Sequence, residues 1–152
     1  MENNLKNIES KISFELIRDH KLNDFLQYLS GRLKWSKTSK NKIKKFILNA
    51  NSIEKYYGLA IIDNLQIVGG ILIINQGSID FNDKLFEVVN ISNLFVDKNY
   101  RGVISFEFIN QINKFLEKYI ITDYTPNQKA IKIWKKFNFS IADSFSYRLT
   151  IF

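Results

Sequence analysis

One stretch constrains this chain more than any other. Asn90-Ile-Ser-Asn-Leu-Phe-Val96 reads as a strand, Asp97-Lys-Asn-Tyr-Arg-Gly102 as a turn, residues 104–119 as an amphipathic helix and residues 120–124 as a second strand. Two successive strands bridged by a helix must run parallel, with a right-handed crossover. Ligands in such sheets sit outside the carboxyl ends of the parallel strands, here near residues 95–105 and 123–127. The first strand turns through Arg101-Gly102 into a helix start, where unpaired backbone N–H groups and the positive end of the helix dipole favour a phosphate.

The rest of the chain supplies a sheet for that unit to join. Residues 13–17 alternate like a first strand, and Leu22, Phe25, Leu26 and Leu29 then follow helical spacing. Ile43, Phe46, Ile47 and Ala50 make a second apolar helical stripe. Residues 57–62 and 67–74 are β-rich and joined across Asp63-Asn64, which tolerate the positive φ of a tight antiparallel hairpin. Residues 76–84 read as a polar, turn-rich loop before a long strand at 86–96. After the strand at 120–124, Thr125 caps a helix over 127–137 with Pro126 at its first position, and short strands follow near 140–142 and 146–151. The expectation is a mixed α/β fold (α+β sheet) of about seven strands and four helices. Its first half is antiparallel, and its parallel pair splays apart in the second half. A chain of 152 residues suits one domain over 1–152.

Composition removes several chemistries. With no cysteine and His20 as the single histidine, thiolate nucleophiles, redox dithiols, disulfides and Cys/His zinc sites are unavailable, and no metal is expected. The segment Met-Glu-Asn-Asn-Leu-Lys lacks an apolar signal region and no uncharged run reaches bilayer-spanning length, so the expectation is a cytoplasmic protein without a membrane partner. The formal charge of +7 is concentrated in Arg32, Lys34, Lys37, Lys40, Lys42, Lys44 and Lys45, a stretch without an acidic residue. Such a patch attracts phosphates or is simply a solvated helix face.

The run Leu-Phe-Val-Asp-Lys-Asn-Tyr-Arg-Gly at 94–102, followed by Asn127-x-x-Ala130-x-x-Ile133-Trp134-x-x-Phe137-Asn138-Phe139, resembles the coenzyme-binding half of the GNAT superfamily of acyl-CoA-dependent N-acyltransferases. The element order matches over nearly the whole chain. The resemblance implies acetyl-CoA, or another acyl-CoA, as co-substrate and a small-molecule amine, an amino sugar among the candidates, as acceptor. It implies that Leu94, Phe95 and Val96 hold pantetheine, that the backbone of Arg101, Gly102, Val103, Ile104 and Ser105 holds pyrophosphate, and that Asn127 and Trp134 complete the coenzyme site. Within the family pattern Arg-x-x-Gly-x-Gly/Ala, Ile104 and Phe106 stand where glycines are usual. A one-residue deletion in the loop instead keeps Gly102, puts Ser105 at the last small position and leaves Phe108 and Ile109 on the buried helix face. The step Thr125-Pro126-Asn127 and the Ser-containing loop resemble a branch encoded with surface-polysaccharide genes.

In that chemistry the amine attacks the thioester directly. A backbone N–H near Leu94 or Phe95 stabilises the oxyanion, and Glu87, Asp123 or a water held by Asn90 and Ser92 serves as base. Alternation along the strand puts Asn90, Ser92 and Leu94 on one face, unless a bulge breaks the count. The bland reading of Asn90 and Ser92 is that short polar side chains satisfy backbone groups at a strand bend. Many family members carry a Tyr acid where Trp134 stands, which moves that role to Tyr124, Ser92 or solvent; a thiolate leaving group needs little help. His20 reads as a surface or capping residue, Tyr56 and Tyr57 as packing residues, and Gly69-Gly70 as a close approach by a ligand or as tight packing. The alternative to an enzyme is a GNAT-fold binding or regulatory module without turnover. Nucleic acid as a partner is disfavoured, because no aromatic-interleaved basic stripe is present. A homodimer is compatible with everything above.

Overall fold

A computed structural model describes residues 12–50, 56–117, 119–123 and 128–136. The described elements are β1 (Ile12–Arg18), α1 (Asp19–Leu33), α2 (Lys37–Ala50), β2 (Tyr56–Asp63), β3 (Gln66–Phe81), β4 (Lys84–Val96), α3 (Val103–Leu116), β5 (Ile120–Thr122) and α4 (Gln128–Lys136). The five strands form one sheet in sequence order, antiparallel from β1 to β4 and parallel between β4 and β5. The expected mixed sheet and four helices are present. The strands expected at 140–142 and 146–151, with the Thr125 cap and Pro126, lie outside the described residues.

Alternation in the central strands sends side chains into two cores. Ile61, Ile71, Ile73, Val89 and Ile91 pack with Phe108, Ile109 and Ile112 of α3 and Trp134 of α4. Ala60, Ile62, Leu72 and Ile74 pack on the other face with Leu22, Phe25, Leu26 and Leu29 of α1 and Ile47 of α2. Helices therefore cover both faces, which explains why β2 and the first half of β3 are buried almost without a break. Local signals set the helix ends. Lys34 ends α1 in the left-handed region at φ 56°, with the Trp35 N–H donating to the Ser30 carbonyl at 2.9 Å. Ser36 opens α2 by accepting the Ser39 N–H at 3.0 Å.

Three expectations change. The β2–β3 turn lies at Asn64-Leu65, φ 47° and 69°, one residue later than the Asp63-Asn64 step, because Asp63 still pairs with Gln66. The polar stretch 76–84 is not a loop: β3 runs to Phe81 and β4 starts at Lys84, around an Asn82-Asp83 turn with φ 51° and 58°. Cross-strand hydrogen bonding outweighs the weak strand propensity there, and both turn residues accept positive φ. Helix α3 ends at Leu116, so Tyr119 belongs to the approach to β5.

The glycines of the central strands serve packing rather than ligand approach. A Cβ at Gly70 would overlap the Phe25 ring, and one at Gly58 would meet Phe25 and the Ile71 carbonyl oxygen. Phe25 itself is fully buried, so its ring occupies the space the two glycines leave. Gly70→Ala is expected to cost about 1–3 kcal/mol in urea denaturation through overpacking. A second change, Phe25→Leu, should return part of that loss; an unaltered midpoint in Gly70→Ala would contradict this packing.

Candidate active site

The site begins with one extra residue. Along the β3–β4 ladder Leu72 pairs with Ser92, but the next pair is Gly70 with Phe95, so β4 bulges at Asn93, whose φ is 56°. A bulge shifts every later side chain to the opposite face. Val89 and Ile91 pack toward α3, and after the bulge Leu94 and Val96 join that same core while Phe95 packs toward α1 and α2. Unbroken alternation had placed Leu94 with Asn90 and Ser92; the bulge separates them.

The parallel pair parts at the same height. Val88, Val89 and Asn90 pair with Ile120, Ile121 and Thr122, and there the pairing ends while β4 runs on to Val96. β4 therefore continues past the end of β5, and its outer edge beyond the bulge has no strand partner among the described residues. Into this gap opens a cleft of about 570 Å³. Ser92, Asn93, Leu94, Phe95 and Val96 line it from β4, Arg101 and Ser105 from the turn and helix that follow, and Asp123 from the end of β5. Lys129, Ala130, Ile133 and Trp134 of α4 form the facing wall, with Phe108, Ile109 and Leu33 deeper or at the rim.

At the mouth of the cleft stands the start of α3. Gly102 caps it at φ 96°, ψ −124°, a conformation reserved for glycine, and a Cβ placed there would point into open space. The first helical bond runs from the Phe106 N–H to the Gly102 carbonyl at 3.0 Å, so the N–H groups of Val103, Ile104 and Ser105 precede the ladder and are available to an anion. The bulky residues near the cap do not line the cleft. Ile104 packs against the sheet core, Val103 and Phe106 are exposed, and Ser105 is the helix-start residue that reaches the cleft, its hydroxyl donating to the Tyr100 carbonyl at 3.3 Å. These features fit a pyrophosphate held by backbone.

The turn is held from several sides. Arg32 of α1 forms an ion pair with Asp97 at 2.7 Å. The Asp97 N–H donates to the Val68 carbonyl at 2.8 Å, and Tyr100 donates its hydroxyl to Asp63 at 2.6 Å. That hydrogen bond holds the Tyr100 phenol above its ordinary pKa. Arg101 donates to the Val96 carbonyl at 3.0 Å and lies over the Phe95 ring. Tyr28 meets Phe95 edge-on, beneath the Arg32 guanidinium. Burial first, and then the Asp97 charge, push the Tyr28 phenol far up, so it stays neutral. Sequence reasoning missed Tyr28, Arg32 and Leu33 as neighbours of the cleft. No local signal links them to residues more than sixty positions away.

The two strand residues expected to hold a water divide. Asn90 is buried and donates its amide to the Thr122 carbonyl at 3.1 Å, while the Thr122 hydroxyl donates to the Val89 carbonyl at 3.2 Å. Its side chain therefore bridges β4 and β5 at the last pair of their ladder. Ser92 lines the cleft and accepts from the Asn93 amide at 3.1 Å. Trp134 is buried and donates its indole N–H to Asp123 at 3.0 Å. Glu87 sits far down β4 opposite Ser78, away from the cleft. His20 is exposed in the first turn of α1. Tyr56 shares a hydroxyl hydrogen bond with Tyr119, and Tyr57 donates to Asp19. Tyr124 and Asn127 lie outside the described residues. No group of three His, Cys, Asp or Glu residues suited to a metal occurs among the described residues, and no described helix is long and apolar enough to cross a membrane.

No protein-family model matches the sequence, and no curated protein does. Solved structures do match. A predicted acetyltransferase with acetyl-CoA from Clostridium acetobutylicum is 14% identical, with a TM-score of 0.64 over 90% of this chain and 95% of that one. A GCN5-related N-acetyltransferase from Ralstonia eutropha JMP134 is 11% identical, with a TM-score of 0.66 over 91% and 98%. An aminoglycoside acetyltransferase from an uncultured soil metagenomic sample, in complex with sisomicin, is 17% identical, with a TM-score of 0.61 over 91% and 97%. The chain has the GNAT acetyltransferase fold. Within this fold the cleft lies beside the Asn93 bulge and beyond the last β4–β5 pair, and the Asn90 amide ties the two strands at that pair. Asn90→Leu should cost about 1–3 kcal/mol in urea denaturation, because the Thr122 carbonyl loses its partner in a buried place. Unchanged stability with reduced turnover would instead assign Asn90 to water binding.

Proposed function

We propose that this protein transfers an acetyl or other short acyl group from acyl-CoA to the amine of a small molecule, with an amino sugar among the candidate acceptors. The observation that carries the reading is the coincidence of the Asn93 bulge, the end of β4–β5 pairing at Asn90 and the glycine-capped start of α3 around one cleft. Support also comes from the GNAT fold and from neighbours described with acetyl-CoA and with sisomicin.

In this proposal Leu94, Phe95 and Val96 hold the pantetheine arm through the strand edge that has no strand partner among the described residues. Gly102, Val103, Ile104 and Ser105 hold the pyrophosphate through backbone N–H groups, with Arg101 beside them. Trp134 and Ala130 close the apolar wall against the coenzyme, and the resemblance adds Asn127 to the coenzyme contacts. The amine lone pair attacks the thioester carbonyl carbon, and the oxygen takes up negative charge against the N–H of Leu94 or Phe95. Collapse breaks the carbon–sulfur bond, and the CoA thiolate leaves with a proton from Tyr124 or water. Ser92 and Asp123, which both line the cleft, hold the water that accepts the amine proton. A second reading, a binding or regulatory module without turnover, draws on Trp134. Its indole occupies the position where the GNAT resemblance expects a phenol acid, and it engages Asp123.

Acetyl-CoA is expected to raise the melting temperature by several degrees, since a ligand present at about 100 times its Kd stabilises the native state by about 2.7 kcal/mol. Gly102→Gln should lose that ligand-induced rise. Its own baseline should also fall, because a φ of 96° strains a non-glycine residue by about 1–3 kcal/mol. The readout is therefore the ligand-induced difference within each variant. No rise in the wild type at millimolar acetyl-CoA would contradict the proposal.

Turnover separates enzyme from module. Tyr124→Phe should lower the rate of CoA release in the presence of an amine acceptor by more than it weakens coenzyme binding, as expected for a contact made mainly in the transition state. Trp134→Phe should cost stability or coenzyme affinity instead. Clear coenzyme binding without turnover on a broad amine panel would favour the module.

A further inference from the structure

Arg101 immediately precedes Gly102, yet its side chain is folded back onto β4. Its Nε donates to the Val96 carbonyl at 3.0 Å, and its guanidinium lies 5.8 Å from the centre of the Phe95 ring. Which edge of the strand it covers follows from the ladder. The Asp97 N–H donates to the Val68 carbonyl at 2.8 Å, while the neighbouring pair is Val96 with Gly69. In an antiparallel ladder hydrogen-bonded and non-hydrogen-bonded pairs alternate, and the latter direct their own N–H and C=O away from each other. The Val96 carbonyl therefore faces the outer edge of β4, beyond the last pair with β5. Arg101 occupies an acceptor on the very edge that the proposed function gives to the pantetheine arm.

That contact is a loose one. Arg101 is exposed, and among the described residues it pairs with no carboxylate. Asp97, the nearest acid along the chain, is held by Nε and Nη2 of Arg32 at 2.7 and 2.8 Å. A neutral carbonyl and the face of a ring are modest partners for an exposed guanidinium. A phosphate is a stronger one, because it accepts charge-assisted and bidentate hydrogen bonds from the planar fork. The start of α3 would place such an anion within one to four residues of Arg101, at the N–H groups of Val103, Ile104 and Ser105.

We propose that Arg101 makes the cleft selective for phosphate-bearing thioesters. In the free chain its guanidinium covers the Val96 carbonyl. A pyrophosphate at the start of α3 draws the guanidinium away, and an amide N–H of the pantetheine arm then takes the carbonyl it leaves. The proposal rests on the acyl-CoA reading of the cleft and adds a competition to it: a donor without phosphate must displace Arg101 unaided. Anion and arm are thereby coupled, since the binding of either one favours the arrangement that the other needs.

Titration calorimetry of the full chain with two donors tests this: acetyl-CoA, and acetylpantetheine, which keeps the arm and the thioester but has no phosphate. Arg101→Ala should weaken acetyl-CoA by about tenfold, the scale of a lost hydrogen bond to a charged group. The same change should tighten acetylpantetheine by about threefold, because the carbonyl is no longer covered. Opposite signs are what a merely structural role cannot give. Arg101→Lys, which keeps the cation, should recover part of the acetyl-CoA affinity. Inorganic pyrophosphate should tighten acetylpantetheine on the wild type and have no such effect on Arg101→Ala. Arg101→Ala weakening both donors alike or changing neither, or pyrophosphate without effect on the wild type, would overturn the proposal while leaving the acyl-CoA reading in place. A wild type that does not bind acetyl-CoA at millimolar concentration would overturn both.

Discussion

The end of backbone pairing between β4 and β5 is the constraint on which the rest of the site depends. Parallel strands normally stay in register along their shared length, each with its hydrogen bonds taken. Here the pairing stops at Asn90 and Thr122, and the Asn93 bulge takes β4 out of step with β3 just beyond. Either alone would leave a strand with one disturbed edge. Together they produce a cleft walled by backbone on one side and by Trp134 and Ala130 on the other.

Such an opening is sustained by the packing around it. Backbone left unpaired within a protein is costly unless neighbouring groups hold the geometry. The Asn90 amide ties β5 to β4 at the branch point, and the two cores clamp β3 from above and below. Phe25, seated against Gly58 and Gly70, keeps α1 close enough for Arg32 to reach Asp97. The turn that carries Gly102 is thereby attached to α1 as well as to its own strand. A ligand at the helix start would meet a turn already positioned, which lowers the ordering cost of binding.

Much of the fold was legible because its signals are local. The strand-helix-strand order implied a parallel pair, and the apolar spacing placed Phe108 and Ile109 on the buried face of α3, where they are 0% and 4% exposed. Gly102 stood out as a helix-start glycine, and its φ of 96° gives the physical reason. Other features were hidden. Asn93 is an ordinary strand residue by composition, so nothing local announced the bulge that moved Leu94 to the other face. Leu65 has no preference for its positive φ, which displaced the expected turn. The polar sequence of residues 76–84 disguised two strands that are held by each other rather than by a core. Arg32 and Asp97 meet only through the tertiary fold, beyond the reach of spacing arguments.

The most direct test of the account is a crystal structure of the full chain with acetyl-CoA. The account predicts the thioester carbonyl within hydrogen-bonding distance of the Leu94 or Phe95 N–H, with the pantetheine along the outer edge of β4 and the pyrophosphate at the N–H groups of Val103, Ile104 and Ser105. Coenzyme bound elsewhere on the protein, or β4 and β5 paired without a gap beyond Asn90, would contradict it.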